Sequence, residues 1–115
     1  MDYQTEAIMP KYNVRKLSSA QREALLRRLF QAVAVLKNYR EASDFFRDLL
    51  DPAEIGMLAR RLEIAALIHD GLTYDEIARK LGAGRDTIAR VARWYHEGHG
   101  GYKVFVQRTQ GRLKS

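Results

Sequence analysis

Apolar residues recur at helical spacing along most of the chain. Leu25, Leu29, Val33 and Leu36 fall one helical turn apart, and Leu26 and Phe30 widen the stripe, which predicts a helix with one buried face. Ser18 and Gln21 stand at capping-box spacing ahead of it, so the helix is expected from Ser18 or Ser19 to about Asn38. A short second helix carries Ala42, Phe45, Phe46, Leu49 and Leu50 on its apolar side. The two phenylalanines are read as packing residues rather than a ligand-stacking pair. The third helix opens on Asp51 as N-cap, Pro52 at the first helical position and Glu54 closing a capping box. Met57, Leu58, Leu62, Ala65 and Ile68 line one side, and Ile64 and Leu67 widen it until residues 64–68 are apolar nearly all round. A helix of that kind is covered on most sides, which predicts a central position and suits the inside of a dimer. Gly71 is placed to end it.

The next stretch is the most informative. Thr73 and Glu76 form another capping box, Ile77, Ala78 and Leu81 point inward, and Gly82 follows at a tight turn where a positive φ is expected. A further helix starts near Gly84 or Arg85 and ends before Gly98. Its inward residues are Ile88, Val91, Ala92 and Tyr95, while Arg85, Asp86, Ala89 and Arg93 lie largely on the other face. Two short helices joined by a glycine turn, the second bearing cations, make a helix-turn-helix at about residues 73–95. The fold class is all-α.

The two ends carry less pattern. Residues 1–17 have no periodicity, Pro10 breaks any helix, and the segment reads as a flexible arm whose Lys11, Arg15 and Lys16 offer a secondary DNA contact. Val104, Phe105 and Val106 have β propensity but no partner strand, and Gln107 to Ser115 reads as mobile. The organisation is thus an arm (1–17), a helical DNA-binding domain (18–97) and a Gly-containing basic tail (98–115).

Composition narrows the function. A chain of 115 residues makes one compact domain, and a short all-helical one often completes its core with a second copy. The net charge of +6 points to a polyanion, nucleic acid or an anionic membrane, and the helix-turn-helix puts double-stranded DNA first. The absence of cysteine removes disulfides, thiolate zinc sites and a Cys nucleophile. No apolar run reaches the roughly 20 residues of a membrane span, and residues 1–6 lack signal-peptide order, so no membrane partner and a cytoplasmic location are expected. His96 and His99 have metal-like spacing, but the only other histidine is His69, and a stable site wants three or four ordered ligands, so no metal is expected. No Ser/His/Asp set stands out, and the Gly98–Gly101 loop lacks a Walker-type Lys-Ser/Thr pair, so no enzymatic activity is expected.

The candidate DNA-binding residues follow from geometry. Arg85 stands in the first turn of the second helix of the motif, where it can bond guanine O6 and N7 for about 1–3 kcal/mol of discrimination. Gly84 and Ala89 leave room for close approach. Asp86 reads first as a favourable charge at the helix N-terminus, and it could instead accept from cytosine or orient Arg85. Thr87 suits a phosphate or a helix cap, and Tyr74 a phosphate where the preceding helix crosses the backbone. Arg79, Lys80, Arg90 and Arg93 add positive charge around the motif.

These residues bear a family resemblance. Leu81-Gly82-Ala83-Gly84, Thr87-Ile88 and Arg90 resemble the turn and recognition helix of the tryptophan repressor, and residues 49–54 resemble the start of its central helix. Arg61-Leu62-Glu63, the run Tyr74 to Ala78, and Gly101-Tyr102-Lys103 are similar to the YerC/YecD branch. The resemblance covers roughly residues 20–103. It implies an intertwined homodimer that binds operator DNA through two helix-turn-helix units. It also implies an effector site at Arg61, Thr87 and Arg90. Two departures disfavour tryptophan there. Val91 replaces a glycine beside the indole, and Trp94 replaces a serine that holds the ligand's amino group and could itself fill the space. The expected function is a sequence-specific, repressor-like transcriptional regulator without a cofactor and with an unknown effector. A helical protein-interaction module that keeps the motif without reading DNA is the alternative.

Overall fold

A computed structural model describes residues 16–109. Its helices are α1 (Ser19–Ala34), α2 (Tyr39–Leu49), α3 (Pro52–His69), α4 (Tyr74–Leu81), α5 (Arg85–Glu97) and α6 (Gly101–Thr109), with no strand among the described residues. Two compact units meet between residues 45 and 46, within α2.

Three helix starts use the reciprocal boxes expected from the sequence. The Gln21, Glu54 and Glu76 backbone N–H groups donate to the Ser18, Asp51 and Thr73 side chains at 3.1, 2.9 and 3.1 Å. Each partner's own N–H donates back to the Gln or Glu side chain at 2.7–2.9 Å. Two orphan donors are satisfied at each start, which fixes where the helix begins. In the first unit, α1 stops at Ala34 rather than near Asn38. Asn38 has a competing role, since its side-chain oxygen accepts the Glu41 N–H at 2.9 Å and opens α2. No side chain of α1 is buried, and Phe30 is 63 % exposed.

The second unit is built around α3, which packs against α4, α5 and α6. Ile64, Ala65 and Leu67 of α3 meet Ile77 of α4, Ala83 of the turn, and Ile88 and Val91 of α5 in one buried cluster. The all-round apolar segment of α3 is therefore central, as its pattern predicted. Gly82 closes α4 in the left-handed region at φ 66°. A Cβ there would meet nothing within 4 Å, so the requirement for glycine comes from the backbone angle and not from crowding.

The tail corrects an expectation. Residues 101–109 form a helix rather than a β-prone or mobile segment, with Val106 buried and Tyr102 packed on the core. Tyr102 and Val106 are one turn apart, and burial on α3 outweighs the strand preference of Val and Phe. The expectations for residues 1–15 and 110–115 lie outside the described residues.

The α4 cap carries a pH signature. The Thr73 backbone N–H, then the Thr73 hydroxyl and a smaller pull from Arg79, hold the Glu76 carboxyl below its ordinary value of 4.5. Because the folded value lies below the unfolded one, the box stabilises fully above that ordinary value. Its contribution is lost as pH falls through the lowered value. Thr73→Ala removes the hydroxyl but keeps the backbone N–H, so it is expected to raise the Glu76 titration only part of the way back to its ordinary value, as followed by NMR.

Candidate nucleic-acid interface

The motif's inner surface is apolar and its outer surface polar, and α5 separates the two. Ile88, Val91 and Ala92 are buried, while Asp86, Ala89, Arg90 and Arg93 are exposed on the same helix. Tyr74, Lys80, Gly84 and Arg85 are exposed as well, and Thr87 is half-buried. Ala83, buried under the turn, ties the loop to the core. The expected DNA-facing residues on α4, the turn and α5 are therefore exposed, apart from half-buried Thr87.

Two of the α5 arginines have acidic partners. Arg85 Nη2 pairs with Asp75 Oδ1 on α4. Arg93 Nε lies 3.8 Å from Glu97 Oε1, and its guanidinium sits 5.8 Å from the Trp94 ring centre. Exposed pairs of this kind are screened by water and are worth little for folding. Asp86, one possible partner of Arg85 in the sequence reading, instead lies in the first turn of α5, where it suits the helix dipole. The N-cap is Gly84, with no side-chain cap hydrogen bond, so Thr87 does not cap the helix.

A hydrogen bond that the sequence reading missed joins the far end of α5 to α3. His69 Nδ1 and Tyr95 Oη are 2.7 Å apart, Lys103 Nζ lies 5.5 Å from the Tyr95 ring centre, and His96 meets that ring edge-on. The available signal was the inward spacing of Tyr95, one turn beyond Val91.

An open hollow of about 370 Å³ lies between α3 and α5, lined by Ala53, Gly56, Met57, Arg60, Arg61 and Thr87. It brings together Arg61 and Thr87 of the expected effector set, whereas Arg90 is not on its lining. Val91 is buried in the core, and Trp94 is half-exposed and outside the lining. No cluster of three metal-ligating side chains occurs among the described residues, and no helix there is long and apolar enough to cross a membrane.

Residues 24–110 match the family model of the Trp repressor protein. The chain belongs to the Trp repressor family. It is 38 % identical over 85 residues to the uncharacterized protein YerC of Bacillus subtilis (strain 168), covering 74 % of this chain and 82 % of YerC. A crystallised TrpR-like protein from Eubacterium eligens shares 38 % identity at a TM-score of 0.68, over 84 % of this chain and 94 % of that one. A candidate Trp repressor from Staphylococcus aureus shares 36 % identity at a TM-score of 0.70, over 85 % and 94 % of the two chains. The Trp repressor family is one of regulatory DNA-binding proteins, not of enzymes.

Proposed function

We propose that this Trp repressor family member is a sequence-specific transcriptional regulator that docks α5 in the major groove of DNA as a homodimer. The observation that carries the reading is the two-faced α5, with Ile88 and Val91 buried behind an open face of Gly84, Arg85, Ala89, Arg90 and Arg93. Gly84 adds support. It has an ordinary φ of −75° and open space around a Cβ, so neither strain nor crowding requires glycine there, and at this N-cap its lack of a side chain leaves room for close approach to a groove. Lys80, Arg90 and Arg93 face phosphates, Tyr74 bonds one where α4 crosses the backbone, and Arg85 reaches a base edge. The dimer rests on the family and on the exposed apolar residues of α1 and α3, including Leu25, Leu29, Phe30, Met57 and Leu58. A protein that binds chromosomal DNA belongs in the cytoplasm, and that location goes with this reading.

The hollow between α3 and α5 is the place for a small effector other than tryptophan, with Arg61 and Thr87 as its contacts. Trp94 offers no acceptor where the family's serine holds the ligand's amino group, which keeps tryptophan disfavoured; Val91 is buried in the core, off the lining of this hollow.

Affinity measured by fluorescence anisotropy over a salt series tests the reading. Log affinity should fall linearly with log salt. Arg85→Ala should cost about 1–3 kcal/mol on a selected sequence and far less on random DNA. Equal losses on both would deny Arg85 a base-reading role. Asp75 and Asp86, which dilute the positive face, favour a protein-interaction module as the second reading. Absence of a mobility shift on any duplex at moderate salt would decide for it.

A further inference from the structure

The two acids in the first turn of α4 do different work. Glu76 closes the capping box with Thr73. Asp75, its neighbour, reaches across the turn to Arg85. The pairs Arg40–Asp44 and Arg93–Glu97 lie one turn apart along a single helix, whereas Asp75–Arg85 joins the start of α4 to the first residue of α5. Both side chains are about two-thirds exposed (66 % and 61 %), so water screens the pair and it contributes little to holding the helices together.

Its position gives it a different use. The first turn of a recognition helix is where side chains reach base edges. An unpaired arginine there samples many rotamers and is drawn to any phosphate. A carboxylate on one terminal nitrogen limits that sampling and leaves the other N–H donors for a partner. The same negative charge cancels the attraction to phosphate and is itself repelled by the DNA backbone. Arg85 is thus weakened for general attachment and favoured for a fixed, two-point contact with a base.

We propose that Asp75 is a specificity-determining residue. It positions Arg85 to read one guanine and suppresses attachment to unrelated DNA. This inference rests on the DNA-reading function proposed above.

The test is selection from randomised duplexes with the full chain as wild type, Asp75→Ala, Asp75→Asn, Arg85→Ala and the Asp75→Ala/Arg85→Ala double variant. Affinity for one random duplex is measured in parallel over a salt series. The wild type should prefer guanine at one position of its selected sequence, and Arg85→Ala should lose that preference. Asp75→Ala should lose about tenfold of the preference at the same position. Its affinity for random DNA should rise, with the salt slope steeper by about 0.9. Asp75→Asn, which keeps an acceptor oxygen, should fall between. The double variant should lose no more at that base than Arg85→Ala alone.

If Asp75→Ala keeps the guanine preference, the inference fails while DNA reading stands. Weaker binding of Asp75→Ala to both selected and random DNA would make Asp75 merely structural and also overturn it. A wild type that selects no sequence overturns the DNA-reading function, and this inference with it.

Discussion

Ile88→Ala is expected to destabilise the protein by about 2–5 kcal/mol, as measured by the shift of the urea unfolding midpoint. Ile88 is fully buried in the first inward position of α5, in the cluster with Ile64 of α3 and Ile77 of α4. Truncation removes apolar contacts from all three helices and leaves a hole that a close-packed core refills poorly. Single domains are stable by only about 5–15 kcal/mol, so the variant loses a large share of its margin. DNA binding falls with it, because α5 has lost the anchor that holds its outer face outward. Ile88→Val removes one methylene and should cost about 0.5–1.5 kcal/mol. A loss under about 1 kcal/mol for Ile88→Ala would mean that this cluster does not hold α5.

The second large effect is expected on α1. Sixteen residues form this helix without burying one side chain, and Leu25, Leu26, Leu29, Phe30 and Val33 are all exposed. An apolar stripe of that length is covered in a working protein, and a second copy is the partner the family suggests. These side chains are 37–63 % exposed, so each leucine or phenylalanine covered contributes about half of a full burial, roughly 0.5–1.5 kcal/mol. Leu29→Glu places a charge in the stripe and should turn a dimer into a monomer at micromolar concentration, read by sedimentation. Affinity for a site with two half-sites should then fall about 100-fold or more, because linked binding is lost. A wild type that sediments as a monomer would contradict the dimer.

How much of this was legible depended on sequence distance. The capping boxes at Ser18, Asp51 and Thr73 are local, four-residue devices, and they located three helix starts. Ile77, Ile88 and Val91 follow from helical periodicity because each lies on the one apolar face of its helix, and Ile64 from a segment that is apolar nearly all round. The end of α1 was misplaced because its stripe runs on to Leu36, while Asn38 already caps α2. α6 was illegible because the burial of Val106 requires the surface of α3, which no local pattern announces. The Asp75–Arg85 and His69–Tyr95 contacts span ten and 26 residues, and both depend on how the helices pack. In the effector set, the resemblance brought Arg61 and Thr87 to one hollow, while Arg90 stands away from its lining.

Reading of a DNA sequence by α5 is the function on which the rest depends. Selection from a randomised duplex library by the wild-type chain, followed by sequencing of the bound fraction, tests it most directly. A sequence-reading α5 enriches one motif with two related half-sites, centred about one helical turn apart or a multiple of it. A bound fraction as random as the starting library would contradict it.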